Sequence, residues 1–208
     1  MGPPGVGKGT YASAVSEKYG IPHISTGDIF RDEIKNSTEL GKKIKAYVER
    51  GELVPDEIVI EVVKNVLQSE KCRKGFILDG YPRTLRQAEA LDDIVRIDLV
   101  LNFVAPDEVI IERISGRRIC LKCGAIYHVT FMPPKRNGIC DKCGGPVIQR
   151  KDDRPEVVKH RLKIYREKFA PILDYYRKKG LLLDVYAGDP ANIVIPRIFK
   201  LLDEKFKK

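Results

Sequence analysis

Residues 2–10 read GPPGVGKGT, and the reading of this stretch decides the fold. It fits Gly-x-x-x-x-Gly-Lys through Gly2, Gly7 and Lys8, although Gly9 stands where a Ser or Thr usually closes the pattern, and Thr10 follows. Gly5, Gly7 and Gly9 let backbone N–H groups turn inward around phosphate oxygens. A helix starting near Thr10 would aim the positive end of its dipole at the same oxygens. Lys8 is then placed to reach the outer phosphates of a bound nucleotide. A loop of this kind ordinarily follows a buried strand, so alternation of strand and helix is the pattern to seek downstream.

That alternation is present. Short apolar runs suited to buried parallel strands occur at 21–25 (IPHIS), 75–79 (GFILD), 97–104 (IDLVLNFV) and 181–186 (LLLDVY). Between them, VPDEIVIEVVKNVLQSE has a helical pattern with Pro55 and Asp56 suited to its start. Another helix is predicted over about 155–179. There Val158, Leu162, Tyr165, Phe169, Ile172 and Tyr176 recur at spacings of three and four, with Pro171 expected to bend it. The fold class is α/β, a parallel sheet with helices on both faces. Two segments break the rhythm: 27–54 reads as two short helices with no strand between them, and 117–155 holds four cysteines with several Gly and Pro. Both read as insertions at the carboxyl edge of the sheet, where such folds bind ligands.

At 208 residues the chain is long enough for one sizeable core carrying small insertions. No run of about eighteen apolar residues occurs and the amino-terminal residues lack the apolar segment of a signal peptide, so a cytoplasmic protein is expected. The formal charge of +9 suits anionic partners without separating nucleic acids from small phosphates, and a Lys-rich solvated surface would give the same balance. Cys120-x-x-Cys123 and Cys140-x-x-Cys143 form two knuckles whose spacing suits a four-thiolate zinc site, closed and therefore structural. Paired disulfides are the alternative, disfavoured in a reducing compartment. Cys72 has no sequence partner and reads as an inert helix-end residue.

Asp79 ends the apolar run GFILD, where a carboxylate beside a phosphate loop holds Mg²⁺ directly or through water, or else caps the following helix. Arg83 and Gln87 share a face if a helix starts near Thr84. Asp152 and Asp153 could orient Mg²⁺ or ribose, or cap the helix from about 155. Taken one at a time, the arginines of the chain fit surface ion pairs as well as any site.

GPPGVGKGT, STGD at 25–28, GELVPDE at 51–57, LDGYPRTLRQA at 78–88, GRRIC at 116–120 and RKDD at 150–153 follow the order and spacing of adenylate kinases. Over essentially its whole length the chain resembles that family, in the long form with a zinc-bearing lid. The resemblance implies a P-loop nucleoside-monophosphate-kinase fold. Its core would be 1–24, 55–116 and 156–208, its AMP-binding domain 25–54, and its LID 117–155. It implies ATP, AMP and ADP as ligands, Mg²⁺ accompanying ATP, and a structural Zn²⁺ on Cys120, Cys123, Cys140 and Cys143. On the ATP side it implies Gly5, Gly7, Lys8, Gly9, Thr10, Arg113, Arg117, Ile126 and Tyr127, with Asp189 in the loop that meets adenine through its backbone.

On the AMP side the resemblance implies Thr26, Arg31, Gly80, Arg83 on the phosphate, Gln87 on the adenine edge, and the backbone of Leu53 and Val54. Arg150 and Arg161 would clamp the phosphoryl group in transfer, so Lys8, Asp79, Arg83, Arg117, Arg150 and Arg161 are the expected catalytic set. The family also places a short apolar strand ahead of the glycine loop, in the middle of the sheet. This sequence opens at the loop, so a start upstream of Met1 is expected. A monomer is expected, with no nucleic-acid or membrane partner. Two rivals are a kinase of UMP or CMP, and a zinc-ribbon nucleic-acid-binding ATPase. Against the second, the chain has no Trp and its Tyr and Phe are scattered rather than gathered into a stacking platform.

Overall fold

A computed structural model describes residues 1–206, so the last two residues of the expected core segment, 207 and 208, lie outside it. After the glycine loop come α1 (Lys8–Tyr19), β1 (His23–Ser25), α2 (Thr26–Lys35), α3 (Glu39–Arg50) and α4 (Asp56–Leu67). They are followed by β2 (Ile77–Asp79), α5 (Leu85–Ile94), β3 (Val100–Val104) and α6 (Asp107–Gly116). The cysteine-bearing segment holds β4 (Arg117–Cys120), β5 (Ile126–His128) and β6 (Val147–Ile148). It leads into α7 (Pro155–Lys178), β7 (Leu182–Tyr186) and α8 (Ala191–Lys205). No helix among the described residues is long and apolar enough to cross a membrane.

Local chemistry accounts for the helix boundaries. Ser25, Thr38 and Thr84 each accept a hydrogen bond from a backbone N–H of the first turn that follows, at Asp28, Gly41 and Gln87 respectively. Pro55 precedes α4, whose first turn carries Asp56 and Glu57 against the positive end of the dipole. The helix predicted over about 155–179 is a single 24-residue element that continues through Pro171, and it buries Val158, Leu162, Ile172 and Tyr176.

Outside the cysteine-bearing segment the strands pair in parallel, as the α/β reading requires, but in two separate ladders. β1 lies on β2 with Ser25 opposite Asp79, and β3 lies on β7 with Asn102 opposite Asp184. Met1 joins the second ladder through its carbonyl, which accepts from Phe103 N at 3.1 Å. Because β2 is paired along one edge only, Ile77, Leu78 and Asp79 are half-buried, where the apolar run suggested a fully buried strand.

Packing of the loop and of the pocket walls comes from different clusters. Val6, in the middle of the glycine loop, is wholly buried with Tyr11, Phe103, Val185 and Val194, so an apolar knob anchors an otherwise polar turn. Burying one such side chain stabilises by about 1.5–3 kcal/mol. Phe30, Ile44, Val54, Val59, Tyr81 and Leu91 form a second cluster that fastens α2 and α3 to α4 and α5. Residues 117–148 form their own antiparallel sheet, in the order β5-β4-β6.

Candidate active site

The glycine turn hands the chain straight into α1, which begins at Lys8 rather than near Thr10. Gly7 caps the helix in the left-handed region at φ 108°, and Gly5 adopts φ 84°, conformations costly for a residue with a Cβ. A Cβ on Gly5 would also stand 2.2 Å from Ile114 Cγ1. Gly9 is ordinary helix, so its contribution is a free N–H of the first turn. Lys8 is folded back into the turn, its Nζ donating to the carbonyls of Gly2 and Pro3 at 2.8 Å each.

Burial lowers the Lys8 ammonium from its ordinary pKa to about 7, with Asp79 opposing the fall and Arg83, Arg161 and Arg117 adding to it. A polyphosphate in the loop would restore the charged form, so binding at a pH above 7 should draw in a proton. Calorimetry at about pH 8 in buffers of different ionisation enthalpy should show uptake approaching one proton per site, lost in Lys8→Met. A proton count unchanged by that substitution would refute it.

Asp79 ends β2 and faces the loop: a Cβ on Gly9 would lie 3.8 Å from Asp79 Oδ2. The cap of the following helix is Thr84, so the capping alternative for Asp79 does not hold. Burial alone would raise its pKa, but His23, with Nε2 3.4 Å from Oδ2, and the Lys8 charge hold the carboxyl at about 2. Nothing in the sequence pattern signalled His23. Its register on β1, opposite Ile77, puts it on the same face as Asp79 two residues on.

A cleft beside the loop is lined by Thr26, Arg31, Leu53, Val54, Gly80, Arg83 and Gln87, the seven positions expected on the AMP side, together with the two expected clamping arginines, Arg150 and Arg161. Gly27, Phe30, Val48, Gly51, Glu52, Val59 and Asp152 complete the wall. The Gly80 carbonyl accepts from both Thr26 Oγ1 at 3.0 Å and Arg83 Nε at 2.7 Å, which ties α2 to the turn after β2. Arg83 is half-buried, and desolvation lowers its pKa despite the attraction of Asp79.

Asp152 and Asp153 are neither caps nor free. The residue capping α7 is Arg154, without a side-chain hydrogen bond. Arg117 meets Asp153 through both Nε, at 2.8 Å from Oδ2, and Nη2. Arg150 meets Asp152 in the same two-pronged way, and Arg161 Nη1 lies 3.1 Å from Asp152 Oδ2 and 3.5 Å from Asp153 Oδ1. Burial would raise the Asp152 pKa, yet Arg150, Arg161 and Arg31 hold it well below the usual carboxylate range. Two carboxylates thus offset the repulsion among three closely placed guanidinium groups, with the Arg117 and Arg150 forks in bidentate contact.

Two expected ATP-side positions have partners within the protein. Arg113 spends its guanidinium on backbone carbonyls, donating to Val6 at 3.1 Å, Ala187 at 2.6 Å, Gly188 at 3.3 Å and Asp189 at 2.7 Å. It fastens the glycine loop to the 187–189 loop. The Asp189 carboxylate pairs with Arg197 at 3.0 Å. Tyr127 does not face the loop: its buried hydroxyl sits 3.3 Å from Cys140 Sγ and accepts from Asp141 N at 2.8 Å. Adjacent residues of a strand point to opposite faces, so it is Ile126 that approaches the loop, 3.5 Å from the Cβ position of Gly9.

The Sγ atoms of Cys120, Cys123, Cys140 and Cys143 lie within 4.8 Å of one another, with Cys120–Cys143 at 3.5 Å and Cys123–Cys140 at 3.6 Å. Thiolates on one tetrahedral ion at about 2.3 Å stand roughly 3.8 Å apart, so the cluster can hold a metal. Lys122 N donates to Cys120 Sγ at 3.3 Å, giving that ligand an outer partner. The cysteine-bearing segment also touches α2 and α3: Lys35 Nζ donates to the Leu121 carbonyl at 3.0 Å, and Lys151 pairs with Glu49 at 3.1 Å.

A phosphate loop and a second basic cleft, joined by shared arginines, define a P-loop phosphotransferase that works between two phosphate-bearing ligands. The family model described as "Adenylate kinase" matches residues 1–181. The chain is 57% identical to the adenylate kinase of Caldicellulosiruptor saccharolyticus over 207 residues, 97% of this chain and 96% of the relative. It is 56% identical to that of Archaeoglobus fulgidus over 190 residues, 89% and 88% of the two chains. To that of Thermotoga petrophila it is 52% identical over 208 residues, 97% and 94%. The chain belongs to the adenylate kinase family.

Proposed function

We propose that the protein transfers the terminal phosphoryl group of MgATP reversibly to AMP, giving two ADP. The observation that carries this is the cleft of Arg31, Arg83 and Gln87 opening beside the Lys8 loop, with Arg150 and Arg161 in its wall. An AMP phosphate oxygen attacks the γ-phosphorus while the bond to the β-bridging oxygen breaks, and the electron pair leaves with ADP. Charge spreads over the equatorial oxygens, so positioned cations rather than a strong base do the catalytic work. Lys8 holds the β- and γ-phosphates, Arg31 and Arg83 hold the acceptor phosphate, and Arg117, Arg150 and Arg161 exchange part of their contact with Asp152 and Asp153 for phosphoryl oxygens. Mg²⁺, when bound with ATP, neutralises phosphate charge, and Asp79 is the residue placed to hold it through water.

Zn²⁺ is the ion we assign to the four cysteines, in a structural role. Residues 25–54 act as the AMP-binding domain and 117–155 as a lid whose closure excludes water, so that AMP rather than water accepts the phosphoryl group. The protein works as a cytoplasmic monomer without nucleic-acid partners. Arg83→Ala tests the assignment of the cleft: kcat/KM for AMP should fall at least a hundredfold while the dissociation constant for MgATP changes less than threefold, since one charged hydrogen-bonding group is removed from one subsite only. Equal losses for both nucleotides would contradict it. A screen of monophosphate acceptors should rank AMP first, and ADP formation with UMP or CMP but not AMP would replace this reading with another acceptor.

A further inference from the structure

Gln87 is 1% exposed, and its carboxamide is held from both sides. Its Oε1 accepts from the Arg83 backbone N–H at 2.8 Å, and its Nε2 donates to Asp56 Oδ1 at 2.7 Å. Asp56 is pinned in turn by Thr84, whose hydroxyl donates to Oδ2 at 2.9 Å while its oxygen accepts from Gln87 N at 3.2 Å. The carboxylate opens α4 and the amide lies in the first turn of α5, two helices that pack together, so the contact does not depend on a mobile loop.

This arrangement admits one orientation of the amide. Turned over, Nε2 would meet the Arg83 N–H, donor against donor, and Oε1 would meet the Asp56 carboxylate, acceptor against acceptor. In the orientation present, one lone pair of Oε1 and one N–H of Nε2 remain for the cleft. An adenine edge supplies the match, with an amino donor at position 6 and an acceptor at N1. A 6-oxopurine presents the reverse pattern, an acceptor at position 6 and a donor at N1.

We propose that Asp56 is a positioning residue for base choice, fixing the Gln87 amide in the orientation that accepts adenine and rejects 6-oxopurines. The proposal rests on the reading of Gln87 as the group that meets the acceptor base. Asp56 does not line the cleft and acts only through Gln87.

The test is steady-state kcat/KM for AMP and for inosine monophosphate, with MgATP, on the intact enzyme and on Asp56→Asn and Gln87→Leu. The Asn keeps the shape of Asp56 and can offer its own N–H to a reversed Gln87. The preference for AMP over inosine monophosphate should fall roughly tenfold or more in Asp56→Asn, with KM for MgATP unchanged. A purely structural role would depress both acceptors alike and leave the ratio intact, and that result overturns the proposal. If Gln87→Leu collapses the ratio and Asp56→Asn does not, the inference fails while the reading of Gln87 stands. If Gln87→Leu leaves the ratio untouched, that reading fails and the inference falls with it. Should Asp56→Asn not fold, Asp56→Ala, which leaves Nε2 without its partner, supplies the same readout.

Discussion

Arg161→Ala should lower kcat by three orders of magnitude or more while KM for each nucleotide changes much less. The residue lines the cleft and lies within electrostatic reach of Lys8 in the glycine loop. Its side chain is largely but not wholly buried, and desolvation presses its pKa down to about 9 against the pull of Asp152, with Arg150, Arg117 and Arg83 adding to the pressure. Such a group is held charged among like charges, ready for an anion that appears only when the phosphoryl group is in flight. Arginines that meet transferring phosphoryl groups are worth about 10³–10⁵ in rate. Arg161→Lys should recover little of this, because an ammonium cannot reproduce the planar fork that spans two oxygens. The fold should survive, since Arg117 keeps both contacts to Asp153 and Arg150 keeps both to Asp152. A kcat within tenfold of the wild type in a folded Arg161→Ala enzyme would remove Arg161 from the reaction.

Those arginines also mark where sequence reading stops. The glycine loop was legible because its chemistry is local: close-set glycines, a lysine and a helix start occupy one short stretch. The cysteine knuckles were legible for the same reason, since ligand spacing within each knuckle is set by chain geometry. The strand and helix pattern followed from apolar periodicity, down to the long helix beginning at Pro155. Partnership across the chain was not legible. Asp153 looks like a helix cap because it lies two residues ahead of α7, yet it is fully buried against Arg117, which is 36 residues earlier. Tyr127 was placed at the nucleotide by its motif, but the face it occupies is settled by strand alternation and by the position of Cys140. Asp56 read as a helix-start residue, and its second role becomes visible only when α4 and α5 lie side by side. Side chains whose meaning depends on a distant partner carry no local signature, and Arg117, Asp153 and Asp56 are of that kind.

Removing the metal from the four cysteines should unfold the lid and, through it, lower the melting temperature of the whole protein. The lid has little else to hold it: its buried apolar set is Cys120, Tyr127, Cys140 and Val147, of which two belong to the cysteine cluster and a third, Tyr127, is bonded to one of them. Leu121, Val129, Phe131, Met132 and Ile139 are all exposed, so they add little burial. Against that small core, a four-thiolate zinc site supplies on the order of 10 kcal/mol toward folding. The loss should reach the active site as well, because Arg117 begins β4 and Ile126 begins β5, and both positions depend on that sheet. Incubation with a strong chelator, with metal content measured afterwards, should therefore lower the melting temperature and the activity together. Cys140→Ser should do the same without chelator, and added Zn²⁺ should restore the chelated wild type but not the variant. A verified metal-free protein that melts at the same temperature would show that the cysteine cluster contributes nothing through a metal, and would leave the lid to be explained by its hydrogen bonds alone.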